Sequence, residues 1–171
     1  DQAKRGPLAW TPAAGDSEYG FTSGTPWLGF AAESDVRNVA SALASPTSLA
    51  RYYQSLIRLR HLHPALTGEG VIALPAGGQG GALSLLRFAN EEVLLAVVNV
   101  GATELDLGTL DVSEGVGLLG SGPWRIEGLL GSTVDERVQS PSAVPMGARL
   151  APYEGRIWRL SRLPQGSSGM E

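Results

Sequence analysis

Seventeen carboxylates, two histidines and no cysteine are the reactive groups of this 171-residue chain, and their spacing decides what chemistry they could do. The acidic pairs Asp16/Glu18, Glu91-Glu92 and Asp135-Glu136 fall in a polar loop, a turn and a strand edge, where carboxylates are ordinarily solvated. None is set in a motif for general acid–base work, and we assign no catalytic residue. His61 and His63 are two residues apart, so on a helix they point roughly 200° away from each other and cannot chelate one ion. His63 reads instead as packed ahead of Pro64, at a helix end. No metal ligand set and no cofactor are expected. The glycine cluster Gly77-Gly78-Gln79-Gly80-Gly81 lacks the Lys-Ser/Thr ending of a phosphate loop and reads as a turn or mobile loop. What remains is an opening segment rich in arginine and aromatic residues: Arg5, Trp10, Phe21 and Trp27. These residue types bind and shape; they do not cleave.

The elements that would position them follow from periodicity. Residues 1 to about 44 read as loop, with Pro7, Pro12 and Pro26 and several glycines. So long a structureless stretch suits a functional loop or one packed on another part of a protein. Ser45-Pro46 supplies a serine N-cap and a proline at the first helical position. Leu49, Tyr52, Tyr53, Leu56, Leu59 and His63 then recur at helical steps, with Arg51, Gln54, Ser55 and Arg58 on the other face and Pro64 as the stop. Tyr52 and Tyr53 read as core residues facing strands outside this chain. Beyond Gly68 the pattern turns to short strands: 70–74, 82–89, 93–100, 104–107, 124–130, 133–138, 148–150 and 155–161. Asn90-Glu91-Glu92, Gly120-Ser121-Gly122-Pro123, Gly131-Ser132 and Gly147 separate them. Strands at this spacing without intervening helices predict an antiparallel sandwich, with Trp124 and Trp158 in its core. Residues 163–171 read as a frayed tail.

Thirteen basic residues against seventeen acidic ones give a net charge of −4 with both signs interspersed, so no basic stripe for nucleic acid and no polybasic membrane anchor is present. The longest purely apolar run, Val93 to Val98, is far too short to span a bilayer. Without cysteine the fold does not depend on an oxidising compartment, and a cytoplasmic location is favoured.

Taken in order, Arg5-Gly6-Pro7-Leu8-Ala9-Trp10, Gly20-Phe21-Thr22, Pro26-Trp27-Leu28 and Asn38-Val39-Ala40 resemble the loop after the last barrel strand in the α-amylase superfamily. The likeness is to its α-glucosidase and oligo-1,6-glucosidase branch within glycoside hydrolase family thirteen. Ser48-Leu49, Tyr52 or Tyr53, Leu56-Ile57, Leu59-Arg60 and His63-Pro64-Ala65-Leu66 resemble that branch's final barrel helix. Residues 150–160, Leu-Ala-Pro-Tyr-Glu-Gly-Arg-Ile-Trp-Arg-Leu, resemble the closing strand of its C-terminal domain. The chain departs from the pattern at Ala9, where glutamine or proline is common, and at Thr11, where an acidic residue is common.

The resemblance implies an α+β fragment: the last loop and helix of a (β/α)8 barrel over residues 1–66, then an all-β antiparallel Greek-key sandwich over 67–162. It implies a retaining mechanism at two carboxylates roughly 5–5.5 Å apart, and those residues have no counterpart here. A parent enzyme would act on α-linked gluco-oligosaccharides, and its N-terminal catalytic barrel would be this chain's partner. Alone, the chain would be inactive. Arg5, Trp10, Phe21 and Trp27 would then lie at the C-terminal mouth of the barrel, where active sites are built. There an arginine fork can bind sugar hydroxyls and aromatic rings can stack on sugar faces. The competing role for the four is structural, pinning the loop to the barrel. A free-standing β-sandwich that binds carbohydrate or mediates assembly is the alternative from another class.

Overall fold

The computed structural model describes residues 5–14, 18–74, 81–120, 123–131, 135–138, 144–146 and 149–163. They are α+β with mostly antiparallel sheet, in two compact units divided between Leu59 and Arg60.

Two helices follow the long opening segment of the first unit among the described residues. Helix α1 spans Val39–Ala44, inside the stretch that its prolines and glycines mark as loop. Asn38 explains it. Its Oδ1 accepts from the Ser41 N–H at 2.9 Å, and its Nδ2 donates to the Ser34 and Asp35 carbonyls. One buried asparagine thus caps a helix and closes the preceding turn. Helix α2 spans Leu49–Leu62, which corrects the expected start. Ser45 is the C-cap of α1, donating its N–H to the Ser41 carbonyl, and Pro46 lies in the connecting turn. Ser48 opens α2 instead, its Oγ accepting from the Arg51 N–H at 3.2 Å. No residue of α2 is fully buried. Tyr52, Tyr53, Leu49, Ile57 and Leu62 are all exposed, while Leu56 and Leu59 are half-buried, so much of the apolar surface of the helix stays uncovered among the described residues. Tyr52 and Tyr53, expected to face strands outside this chain, are thus not covered within it.

The second unit is built on a six-stranded antiparallel sheet ordered β1-β2-β3-β10-β6-β7. Strands β1 (Gly70–Leu74), β2 (Ala82–Ala89) and β3 (Glu92–Asn99) form a meander, the last two joined through Asn90 at φ 55°. Strand β10 (Gly155–Arg162) returns between β3 and β6 (Trp124–Leu130), and β7 (Asp135–Val138) forms the far edge. Two short ladders complete the unit: β4 (Leu105–Asp106) with β9 (Arg149–Leu150), both inside expected strands, and β5 (Thr109–Leu110) with β8 (Val144–Pro145), which the periodicity did not mark. Between β5 and β6 lie a 3₁₀ turn (Ser113–Gly115) and a short helix α3 (Val116–Leu119). The residues 77–80, 121–122, 132–134, 139–143, 147–148 and 164–171, which carry several turn and tail expectations, lie outside the described residues.

Leu110, Val112, Val144, Met146 and Leu150 join the inward side chains of the sheet in one core. As expected, Trp124 and Trp158 lie in it, with 1% and 0% of their surface exposed. The Trp124 indole N–H donates to the Gly120 carbonyl at 3.1 Å, so its one polar atom is satisfied inside the apolar layer.

The other side of β2 and β3 is covered by the 3₁₀ turn Pro64–Leu66 that follows α2. Here Glu92 corrects the solvated-turn expectation. Its carboxylate meets the His63 Nδ1 at 2.6 Å and accepts from the Ala65 N–H at 3.1 Å, with its side chain 18% exposed. Arg87 donates to the Ala65 and Gly68 carbonyls beside it. Glu92 begins a strand, and the chain returning from α2 puts donors where water would otherwise sit.

Charge pairs line the remaining surface. Arg125 grips Asp135 with two nitrogens across β6 and β7, and that bond holds the aspartate below the usual carboxylate range and raises the arginine. Arg156 lowers Glu154 in the same way, helped by the Ala151 N–H.

Candidate functional site

Backbone hydrogen bonds, to helix α1 and within the segment, hold parts of the loop residues 5–14 and 18–38. The Ala9 and Trp10 carbonyls accept from the Val39 and Ala40 N–H groups at 3.0 and 2.9 Å, satisfying first-turn donors of α1 that have no partner within the helix. Ala9 is the one residue of the Arg5–Trp10 motif that is buried, at 4% exposure. Its carbonyl lies where the loop meets the start of the helix. The Trp10 and Thr11 N–H groups both donate to the Tyr19 carbonyl, at 2.9 and 3.1 Å. Glu18 and Thr22 form an isolated antiparallel bridge around this point.

Trp10 and Phe21 are thereby brought to one turn, each about half exposed. Phe21 also packs edge-on against Phe30, with ring centroids 6.1 Å apart. Trp27 stands out at 88% exposure and shares no described contact with that pair. Arg5 is exposed and makes no ion pair among the described residues. The four expected rim residues are thus a pair plus two separate members. Chemically they offer apolar ring faces and one guanidinium.

Two residues of this cluster were not singled out from sequence: Tyr19 and Phe30, whose rings pack with centroids 4.5 Å apart. The Tyr19-Gly20 dipeptide is a turn signal, but nothing local says that the ring folds onto a residue eleven positions later.

Among the described residues no group of three His, Asp or Glu side chains converges on a point that could hold a metal ion. The acidic pairs separate by role. Glu92 is tied to His63, Asp135 to Arg125, and Glu18 takes part in the turn at Tyr19; Asp16 lies outside the described residues.

Comparison with known proteins finds similarity both in the opening segment and along most of the chain. Residues 1–69 match the alpha amylase catalytic-domain family model. Trehalose-6-phosphate hydrolase of Bacillus subtilis (strain 168) is 32% identical over 163 residues, 94% of this chain and 27% of the relative. An oligo-1,6-glucosidase of Heyndrickxia coagulans is 46% identical over 63 residues, 37% of this chain and 11% of the relative. Isomaltulose synthase of Erwinia rhapontici NX5 has a similar solved structure, with a TM-score of 0.62 and 25% identity over 94% of this chain and 26% of that one. A mutant of Bacillus licheniformis trehalose-6-phosphate hydrolase superposes with a TM-score of 0.65 at 22% identity, which speaks to the fold alone. The chain spans about a quarter of the length of the first of these relatives. A similarity that runs through both units does not favour the free-standing module.

Proposed function

Since this chain belongs to the α-amylase family through its first 69 residues, we propose that it is the C-terminal part of a retaining α-glucoside hydrolase or transglycosylase. The substrate class is α-linked gluco-oligosaccharides. Residues 1–66 are the last loop and helix of the catalytic (β/α)8 barrel, and residues 67–162 are a Greek-key sandwich that stabilises it. The catalytic carboxylates belong to the barrel and not to this chain. Arg5, Trp10, Phe21 and Trp27 shape the rim of the pocket, with the rings offering stacking faces to a glucosyl unit.

The observation that carries this reading is the alignment with trehalose-6-phosphate hydrolase over 94% of the chain, a share too large to be confined to the loop and helix or to the sheet. The bare apolar face of α2 agrees with it, since a stripe containing Leu49, Tyr53 and Ile57 is costly to leave in water. Each such side chain gains roughly 1.5–3 kcal/mol on full burial, so a barrel strand layer is a fitting cover.

The test is turnover by the polypeptide that carries this chain with its catalytic domain. p-Nitrophenyl α-glucoside, isomaltose and trehalose 6-phosphate are the substrates, and the anomeric product is followed by NMR. Hydrolysis with retention is the expected result. Absence of turnover on every α-glucoside, or full activity after removal of residues 1–66, defeats the proposal.

A further inference from the structure

The turn beside the rim pair carries a residue that its backbone does not favour. Tyr19 has φ 53° and Gly20 has φ 69°, and the Phe21 N–H donates to the Glu18 carbonyl at 2.9 Å. Two successive positive φ angles closed by that bond make a primed turn, whose first central position favours asparagine, aspartate or glycine. Tyrosine there bears a steric cost that those residues avoid. Gly20 has little room to share it, because a Cβ at that position would come within 3.0 Å of the Thr11 Oγ1.

What the tyrosine does in exchange is visible on both sides of it. Its carbonyl accepts from the Trp10 and Thr11 N–H groups, which sets the backbone that carries Trp10. Its ring lies against Phe30 at 4.5 Å with planes tilted by 49°, and Phe30 meets Phe21 nearly perpendicular, at 85°. Tyr19 thus reaches the backbone of Trp10 through its own carbonyl and the ring of Phe21 through a relay ring. Trp10 and Phe21 remain half exposed, so the arrangement does not serve to bury them.

We propose that Tyr19 is a positioning residue for substrate binding, holding Trp10 and Phe21 as a stacking pair for the apolar face of a pyranose. This rests on the function proposed above, in which those rings line the rim. The contribution is to affinity and not to bond cleavage, because no reacting group is attached to the cluster.

The experiment uses the polypeptide carrying this chain with its catalytic domain, assayed on isomaltose. Tyr19→Asn keeps a backbone at ease with positive φ and removes only the ring; Tyr19→Phe keeps the ring. The expected result is a KM raised about five- to tenfold in Tyr19→Asn, the scale of one lost aromatic contact, with kcat within about twofold. Tyr19→Phe should match the wild type. An unchanged KM in Tyr19→Asn overturns the inference, and so does an equal rise in Tyr19→Phe, which would assign the effect to the hydroxyl. Should Tyr19→Asn fail to fold, Phe30→Leu decides: a raised KM supports the relay and an unchanged one refutes it. A wild type inactive on all α-glucosides defeats the proposed function and this inference together; an active wild type with indifferent variants defeats this inference alone.

Discussion

Truncating Glu92 to alanine should cost far more than an acidic residue beside a turn would suggest. One carboxylate oxygen lies 2.6 Å from the His63 Nδ1 and the other accepts from the Ala65 N–H at 3.1 Å. Ala65 is fully buried, and the His63 and Glu92 side chains are 12% and 18% exposed. The alanine variant strands a backbone donor inside a covered turn and leaves an imidazole nitrogen without its partner. Hydrogen bonds to charged groups contribute about 1.5–3 kcal/mol each, and the residual exposure argues for the lower end. Two such bonds give a loss of about 3 kcal/mol. For a chain of this size each kcal/mol moves the melting temperature by about 2–4 °C, so the expected drop is about 6–12 °C. Urea unfolding followed by circular dichroism should show the same loss as a lower midpoint at unchanged slope. Glu92→Gln, which keeps an acceptor for one of the two donors, should lose about half as much. In a double-mutant cycle with His63→Ala the coupling should reach about 1 kcal/mol. A loss below about 1 kcal/mol in Glu92→Ala, or strict additivity with His63→Ala, would refute the assignment of this carboxylate as the tie between sheet and turn.

Three further outcomes follow from the same packing. Gly70→Ala should destabilise by about 1–3 kcal/mol, because a Cβ there would lie 2.5 Å from the Phe88 carbonyl oxygen and 2.6 Å from its ring; a thermal melt matching wild type would show that Phe88 can give way. Ser84→Ala should be neutral or stabilising by about 1 kcal/mol, since the Ser84 Oγ is buried without a hydrogen-bond partner among the described residues; a clear loss in chemical denaturation would reveal a partner. Stability should also fall in acid. Arg125 and Arg156 lower Asp135 and Glu154 from ordinary values of 3.8 and 4.5, so their contributions are complete above those values and are lost as pH falls through the lower folded ones. Melting temperatures should be level from pH 7 to 5 and drop below about pH 4, with a smaller drop in Glu154→Gln; identical acid profiles for the two proteins would count against the pairing.

How much was legible in the sequence depended on the range of the interaction. Strands β1, β2 and β6 have the bounds that their apolar runs and glycine turns predict, because hairpin pairing is a local matter. Trp124 and Trp158 announced themselves as core by size and strand position. The two-residue strands β5 and β8 were not marked in the sequence, and the pairing of the expected strands β4 and β9 was not either, since each ladder exists only where a distant segment supplies hydrogen bonds. Helix α1 was hidden for a similar reason. Its Asn38 cap is a recognisable signal, but the Ala9 and Trp10 carbonyls that complete its first turn come from nearly thirty residues away. Ser45-Pro46 misled because it looks like a helix start, whereas the serine ends one helix and Ser48 opens the next.

By itself, the order of residues determined the arginine and aromatic content of the opening segment, the helical stripe that follows, the strand-rich second half and the likeness of the opening segment to the α-amylase family. These rest on residue type and on periods of 2 and 3.6, which are properties of the chain and need no partner. Only the tertiary structure decided that Glu92 faces His63, that β10 lies between β3 and β6, and that Tyr19 reaches Phe21 through Phe30. Those arrangements join positions far apart in sequence, and their free energy exists only once the intervening chain has folded to bring them within contact distance.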